Sequence, residues 1–141
     1  MPLVVADVGA DVILKAFFNN SRAVGGNNFT MKLFATNVTP AQANTAASFV
    51  WATGGGYADK TLTNGSFTIT PANDPSDAVY AEQVWTFTGA LTTNATIYGY
   101  AVLDADGILI YAEAISPFTP ANNGDQLKIT PKFQASSGTP A

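Results

Sequence analysis

Few groups in this chain could do chemistry. It holds no Cys and no His, so disulfides, thiolate or imidazole metal sites, Ser-His-Asp triads and Cys-His dyads are all excluded. Acid–base or nucleophilic work falls to Asp, Glu, Lys, Tyr, Ser and Thr. Glu82 and Glu113 are the only glutamates. A glycosidase needs two carboxylates facing each other across a cleft at a set separation; both fall in strand-like stretches, where a solvated or lysine-paired position is expected. Asp104-Ala105-Asp106-Gly107 begins like a calcium-binding loop, but the twelfth position, which must be acidic, is Ile115. The tetrapeptide therefore reads as a hairpin turn. Gly54-Gly55-Gly56 lacks the Gly-Lys-Ser/Thr ending of a phosphate loop and no helical pattern follows it; it reads as a close backbone approach or a mobile loop. Trp51, Tyr57, Tyr80, Trp85, Tyr98, Tyr100 and Tyr111 could stack a sugar, though core and subunit interface are the expected places for them. The Asn-x-Ser/Thr triplets at Asn19, Asn28, Asn37, Asn64 and Asn94 follow from a chain rich in Asn and Thr. No catalytic residue, metal or cofactor is expected.

The surface chemistry is unusual. Charged residues make up 11% of the 141, about half the usual share of roughly 25%. Thr, Asn, Gln and Ser supply the polarity instead. Such a surface suits a protein packed against copies of itself or a partner. The net charge of −4 argues against nucleic acid, which attracts a basic face. Lys15, Arg22, Lys32, Lys60, Lys128 and Lys132 are scattered, so no basic run marks an anionic membrane surface either. No apolar stretch is long enough to span a bilayer, and the first residues, with Asp7 early and no basic cluster, do not read as a signal peptide.

The elements that would position these groups are mostly short strands. Residues 1–9 read as an extended arm. Residues 10–19 read as a helix capped by Asp11, with Ile13, Leu14, Phe17 and Phe18 on one face. Residues 29–36 alternate, with Phe29, Met31, Leu33 and Ala35 inward. A loop follows Pro40, with room for a helical turn at 41–47, and Phe49–Trp51 forms a short apolar anchor. Residues 66–70 place Phe67 and Ile69 inward, 71–77 read as a connection, and 80–88 as a strand with Trp85 and Phe87 on one face. Residues 97–103 and 108–115 flank the Asp-Gly turn as a hairpin. Both are apolar on both faces, which predicts central strands. In the last strand, 127–133, Pro131 predicts an edge. Residues 135–141 form a small polar tail. Together these predict one domain, 10–134, of the all-β class: an antiparallel, jelly-roll-like β-sandwich with one short N-terminal helix.

Three stretches carry a resemblance: Ile97-Tyr-Gly-Tyr-Ala-Val, Gly107-Ile-Leu-Ile-Tyr-Ala-Glu, and Asn122-Asn-Gly-Asp-Gln-Leu-Lys-Ile-Thr-Pro131. With Leu33-Phe34, the Pro40 loop, the aromatic-Gly-Tyr57 stretch and Lys60-Thr-Leu-Thr in the same order, the chain resembles small β-sandwich structural proteins of tailed bacteriophages over most of residues 10–134. These motifs are structural, and no catalytic residue carries over. The resemblance implies a virion component. Within that class the expectation is a capsid decoration (cement) protein on the outer surface of the head, assembled in the bacterial host cytoplasm. It would bind the major capsid protein and itself as a homotrimer at local three-fold positions. The alternative is a tail- or fibre-associated module that binds a receptor or glycan, or serves tail assembly. The expected partner-binding residues are Leu3, Val4, Val5 and Val8 of the arm and Ile13, Leu14, Phe17 and Phe18 of the helix, with core burial the competing assignment for all eight.

Overall fold

A computed structural model of the protein describes residues 28–70 and 76–135. The expected arm at 1–9, the helix at 10–19 and all eight expected partner-binding residues, Leu3 to Phe18, lie outside the described residues, as does the tail beyond 135.

The described chain is all-β with antiparallel sheets. Nine strands follow in order: β1 (Phe29–Phe34), β2 (Lys60–Leu62), β3 (Thr68–Thr70), β4 (Ser76–Val79), β5 (Gln83–Thr86), β6 (Ile97–Leu103), β7 (Leu109–Phe118), β8 (Gln126–Ile129) and β9 (Lys132–Ala135). One four-stranded sheet runs β2-β1-β6-β7; the others run β3-β4-β9 and β5-β8. The last two are stretches of one bent ribbon. Tyr80 N donates to Pro131 O at 3.0 Å between them, and Phe87 and residues 124–125 bond reciprocally at 2.8 Å beyond them. Pro131 stands at the break between β8 and β9, where a residue without an N–H costs no ladder bond. Both β8 and β9 close their sheets, as the proline predicted.

The core lies between the four-stranded sheet and this ribbon. Phe29, Met31, Leu33, Tyr100 and Val102 come from the first, and Phe67, Ala78, Trp85, Phe87 and Ile129 from the other strands. The arrangement is compatible with a β-sandwich. The inward alternation read for β1 holds, Phe67 is buried as read, and Trp85 and Phe87, read as sharing one face, are both in the core. One alternation fails: Phe34 is buried on the opposite face of β1 from Leu33. The chain leaves β1, makes a 3-10 turn at Ala46–Ser48, and returns beside it through Ala35 N→Val50 O (2.7 Å) and Ala52 N→Leu33 O (2.9 Å). That return lays Phe49 on Phe34 at 4.7 Å between ring centroids, which covers the second face of the sheet.

The hairpin formed where the Asp-Gly turn predicted it, with Gly107 at φ 81° and Asp104 N→Ile108 O closing it at 2.9 Å. Its two strands differ from expectation in one respect. β6 is central, but β7 is an edge. β7 is apolar on both faces because Tyr111, Ile115 and Phe118 pack toward the core, while the 40–49 segment stands against its other face. Further differences are local. Ser76 and Asp77 belong to β4 and not to a connection, and Glu82 lies outside the strands. β2 spans three residues, Lys60-Thr61-Leu62, with one apolar side chain and so no alternation to reveal it. Gly54-Gly55-Gly56 makes the close approach that its composition allowed, against residues 88–92.

Candidate functional site

β7 has no strand partner on its outer side among the described residues, and a groove flanks each of its faces. The first groove encloses about 280 Å³ between β7 and the 40–49 segment, and is lined by Pro40, Gln42, Asn44, Phe49, Leu109 and Ala112 among others. None of its described lining residues is charged. Its far wall is held by short local bonds: Asn44 Oδ1 accepts Ala41 N at 2.6 Å, and Thr36 Oγ1 accepts Val50 N at 2.6 Å. The most exposed large apolar side chain of the described chain, Ile108 at 57%, precedes Leu109 at the mouth of the hairpin. Val50, at 43%, follows Phe49.

The second groove, about 240 Å³, opens between the edge strands β7 and β9 and is lined by Tyr111, Glu113, Lys132, Phe133 and Gln134 among others. Several of its polar groups are tied to neighbours, while the buried Tyr111 hydroxyl has no hydrogen-bond partner among the described residues. Tyr100 Oη donates to Glu113 Oε2 at 2.7 Å. Asp77 takes Gln134 Nε2 at 2.9 Å and pairs with Lys132 Nζ at 3.0 Å, and these contacts hold its carboxyl below the usual carboxylate range. Tyr111 packs edge-on against Tyr100 and obliquely on Phe133. Burial, with the Glu113 charge nearby, pushes both tyrosine hydroxyls well above their ordinary value.

These positions decide several sequence expectations. Glu82 is exposed in the link between β4 and β5, and neither groove is lined by both glutamates. Glu113 is an exposed position on β7, as a solvated strand residue would be, and it also accepts a hydrogen bond from Tyr100 Oη. Among the described residues no group of three carboxylates is placed to hold a metal ion. The aromatic set does not form one platform. Trp85 and Tyr100 are core residues, and Tyr57, Tyr80 and Tyr111 pack against that core. Trp51 is half-buried beside β1 and lines an open groove with Tyr57, while Tyr98 is half-buried on β6. Sequence reasoning did not single out the first groove. Its only local signal was the apolar run Ile108-Leu109-Ile110 directly after an exposed turn. No protein-family model, curated protein or solved structure matches this chain.

Proposed function

We propose that this protein is a bacteriophage virion structural protein: a jelly-roll-like β-sandwich that decorates the outside of the head and clamps adjacent major capsid subunits. The observation that carries this reading is the groove between β7 and the 40–49 segment, which has no charged residue among its described lining, together with the exposed Ile108 that precedes Leu109 of that lining. Closing such a groove against another protein desolvates no ion, so the charge penalty is absent; Phe49 and Leu109 contribute apolar burial, and the polar groups of Gln42 and Asn44 need hydrogen-bond partners from the other side. A chain with 11% charged residues extends that logic to the rest of its surface. The sequence resemblance points the same way. In this reading the arm and helix residues, Leu3 to Phe18, add a second contact to the capsid or to another copy.

The mechanism is mass action. A protein that binds only the assembled shell stabilises it by RT ln(1 + [L]/Kd) per site. The test is copy number per virion, by quantitative mass spectrometry against the major capsid protein. A ratio near unity, or a fixed large fraction of it, is expected. A few copies per particle would overturn the decoration reading in favour of a vertex or tail position.

A further inference from the structure

A second surface of the molecule is built differently from the groove on β7. Beyond the end of β2, the chain from Trp51 to Asp59 runs beside β1 without continuing the strand. Tyr57 takes the place of a strand neighbour there: its hydroxyl accepts Leu33 N at 2.9 Å and donates to Asp59 Oδ1 at 2.8 Å. The Asp59 carboxylate is therefore held by a side chain that is itself fixed to the sheet. Its second oxygen lies 3.4 Å from Lys32 Nζ, and the same ammonium stands 5.2 Å from the centre of the Trp51 ring. Phe49 supports that ring from its neighbouring position, with centroids 5.7 Å apart. The result is an open groove of about 460 Å³ lined by Lys32, Trp51, Thr53, Gly54, Tyr57 and Asp59, among others.

We propose that this groove binds a neutral saccharide. A pyranose presents an apolar C–H face and a rim of hydroxyls that both donate and accept. The groove offers the matching set: an aromatic face, a positioned carboxylate acceptor and an ammonium with three donors. Charge narrows the ligand class further. Lys32 and Asp59 cancel, so an anion meets Asp59, a cation meets Lys32, and an uncharged polyhydroxylated ligand meets neither penalty. The side chains of the pair keep 26% and 40% of their surface exposed, so the ammonium can move from the ring to a sugar hydroxyl without opening the core. Binding here is independent of capsid attachment through β7 and would let a decorated particle adhere to a glycan-bearing surface.

The experiment uses the full chain and the two tryptophans as reporters. Trp85 is 3% exposed and bonded through Nε1 to Ala58 O, so a ligand in the groove is read chiefly through Trp51. The probes are neutral oligomers of glucose, galactose and N-acetylglucosamine, with sialylated and sulfated oligosaccharides as charged comparisons. Tryptophan fluorescence and saturation-transfer NMR follow binding. The expected result is saturable binding of at least one neutral oligomer, weakened about tenfold or more by Asp59→Asn through loss of a charge-assisted hydrogen bond. Trp51→Ala should abolish it, and Trp51→Phe, which keeps an aromatic face, should retain part of it. Thermal unfolding of each variant shows whether it is folded. The proposal is overturned if no neutral oligomer binds, if only charged ones do, or if folded Asp59→Asn and Trp51→Phe both bind like the parent.

Discussion

Phe34 and Gly99 face each other across β1 and β6, and the Phe34 ring fills the space in which a side chain on Gly99 would begin. A Cβ there would meet Phe34 Cζ and Cε1, and the carbonyl oxygen of Glu113 on β7. The ring cannot easily yield, because it is fully buried under Phe49. The requirement at Gly99 is therefore one of space. Gly99→Ala should lower stability by about 1–3 kcal/mol, as overpacking of a filled site does. The urea midpoint reads it directly. Pairing the change with Phe34→Leu should recover part of the loss, because the two sites share one volume. An unshifted midpoint in the single variant would refute the close packing.

That relationship also shows why some of the fold was legible in the sequence and some was not. Alternation located β1 and the 66–70 strand and set Trp85 with Phe87 on one face, because apolar and polar residues alternate there. The Asp-Gly turn located the β6–β7 hairpin, because its backbone geometry is local. Phe34 was not legible: its burial depends on Phe49 returning from fifteen residues downstream. The edge position of β7 was hidden for a related reason. An apolar residue covered by a distant loop looks the same in sequence as one covered by a neighbouring strand. The Trp51 groove was legible only as a membership, since Trp51 and Tyr57 were in the aromatic set, while Lys32 and Asp59 are brought to them by the pairing along β1.

Alkaline pH should unfold the protein through its tyrosines. Burial is the largest influence on Tyr57, Tyr100 and Tyr111, and each is pushed well above the ordinary value of about 10. A group raised in the folded state contributes stability that is complete below its unfolded value and is lost as pH rises toward the folded one. Stability should thus be level up to about pH 10 and then fall, by about 1.4 kcal/mol per pH unit for each tyrosine that stays protonated only when folded. Denaturant unfolding across the range, followed by tyrosinate absorbance, measures this. Normal titration of all five tyrosines in the native protein would contradict the burial of these three.

The acid side should show the opposite sign. Asp125 Oδ2 accepts the main-chain N–H groups of Ala121 and Asn122, both at 2.8 Å, and these bonds hold its carboxyl below the usual range. Asp77 is lowered by Gln134 and then Lys132. A depressed carboxyl contributes stability that is present above its unfolded value and disappears as pH falls through the folded one, so loss should begin below about pH 4. Side-chain carboxyl NMR should place both midpoints below that of a free aspartate. Asp125→Asn, which keeps an acceptor and removes the titration, should flatten the acid limb; an unchanged limb would mean that other groups control it.

Ile108 offers a test that separates docking from folding. It is 57% exposed and precedes β7, so Ile108→Lys should leave the urea midpoint within about 0.5 kcal/mol of the parent, as surface changes usually do. The same change puts a charge next to Leu109 of a groove with no charged residue among its described lining. Co-sedimentation with assembled heads should then fall sharply. Full retention of head binding by the folded variant would remove the groove from the contact.

Asp104 provides the last test, at the tip of the same hairpin. The residue is 3% exposed, which is rare for a carboxylate, and no ion pair joins it to a cation among the described residues. Its Oδ1 accepts the N–H groups of Asp106 and Ile108, both at 2.9 Å, while the buried Oδ2 has no hydrogen-bond partner among the described residues. If the role of Asp104 is to organise the turn, the oxygen matters and the charge does not. Asp104→Asn, with its amide oxygen in the Oδ1 position, should cost less than about 1 kcal/mol, because both turn bonds survive. Asp104→Ala should cost about 1–3 kcal/mol, because two main-chain donors lose their acceptor. Amide exchange at Asp106 and Ile108 should accelerate in the alanine variant and remain slow in the asparagine one. Equal damage from the two substitutions would show that the buried charge itself supports the hairpin, and the turn-organising account would fail.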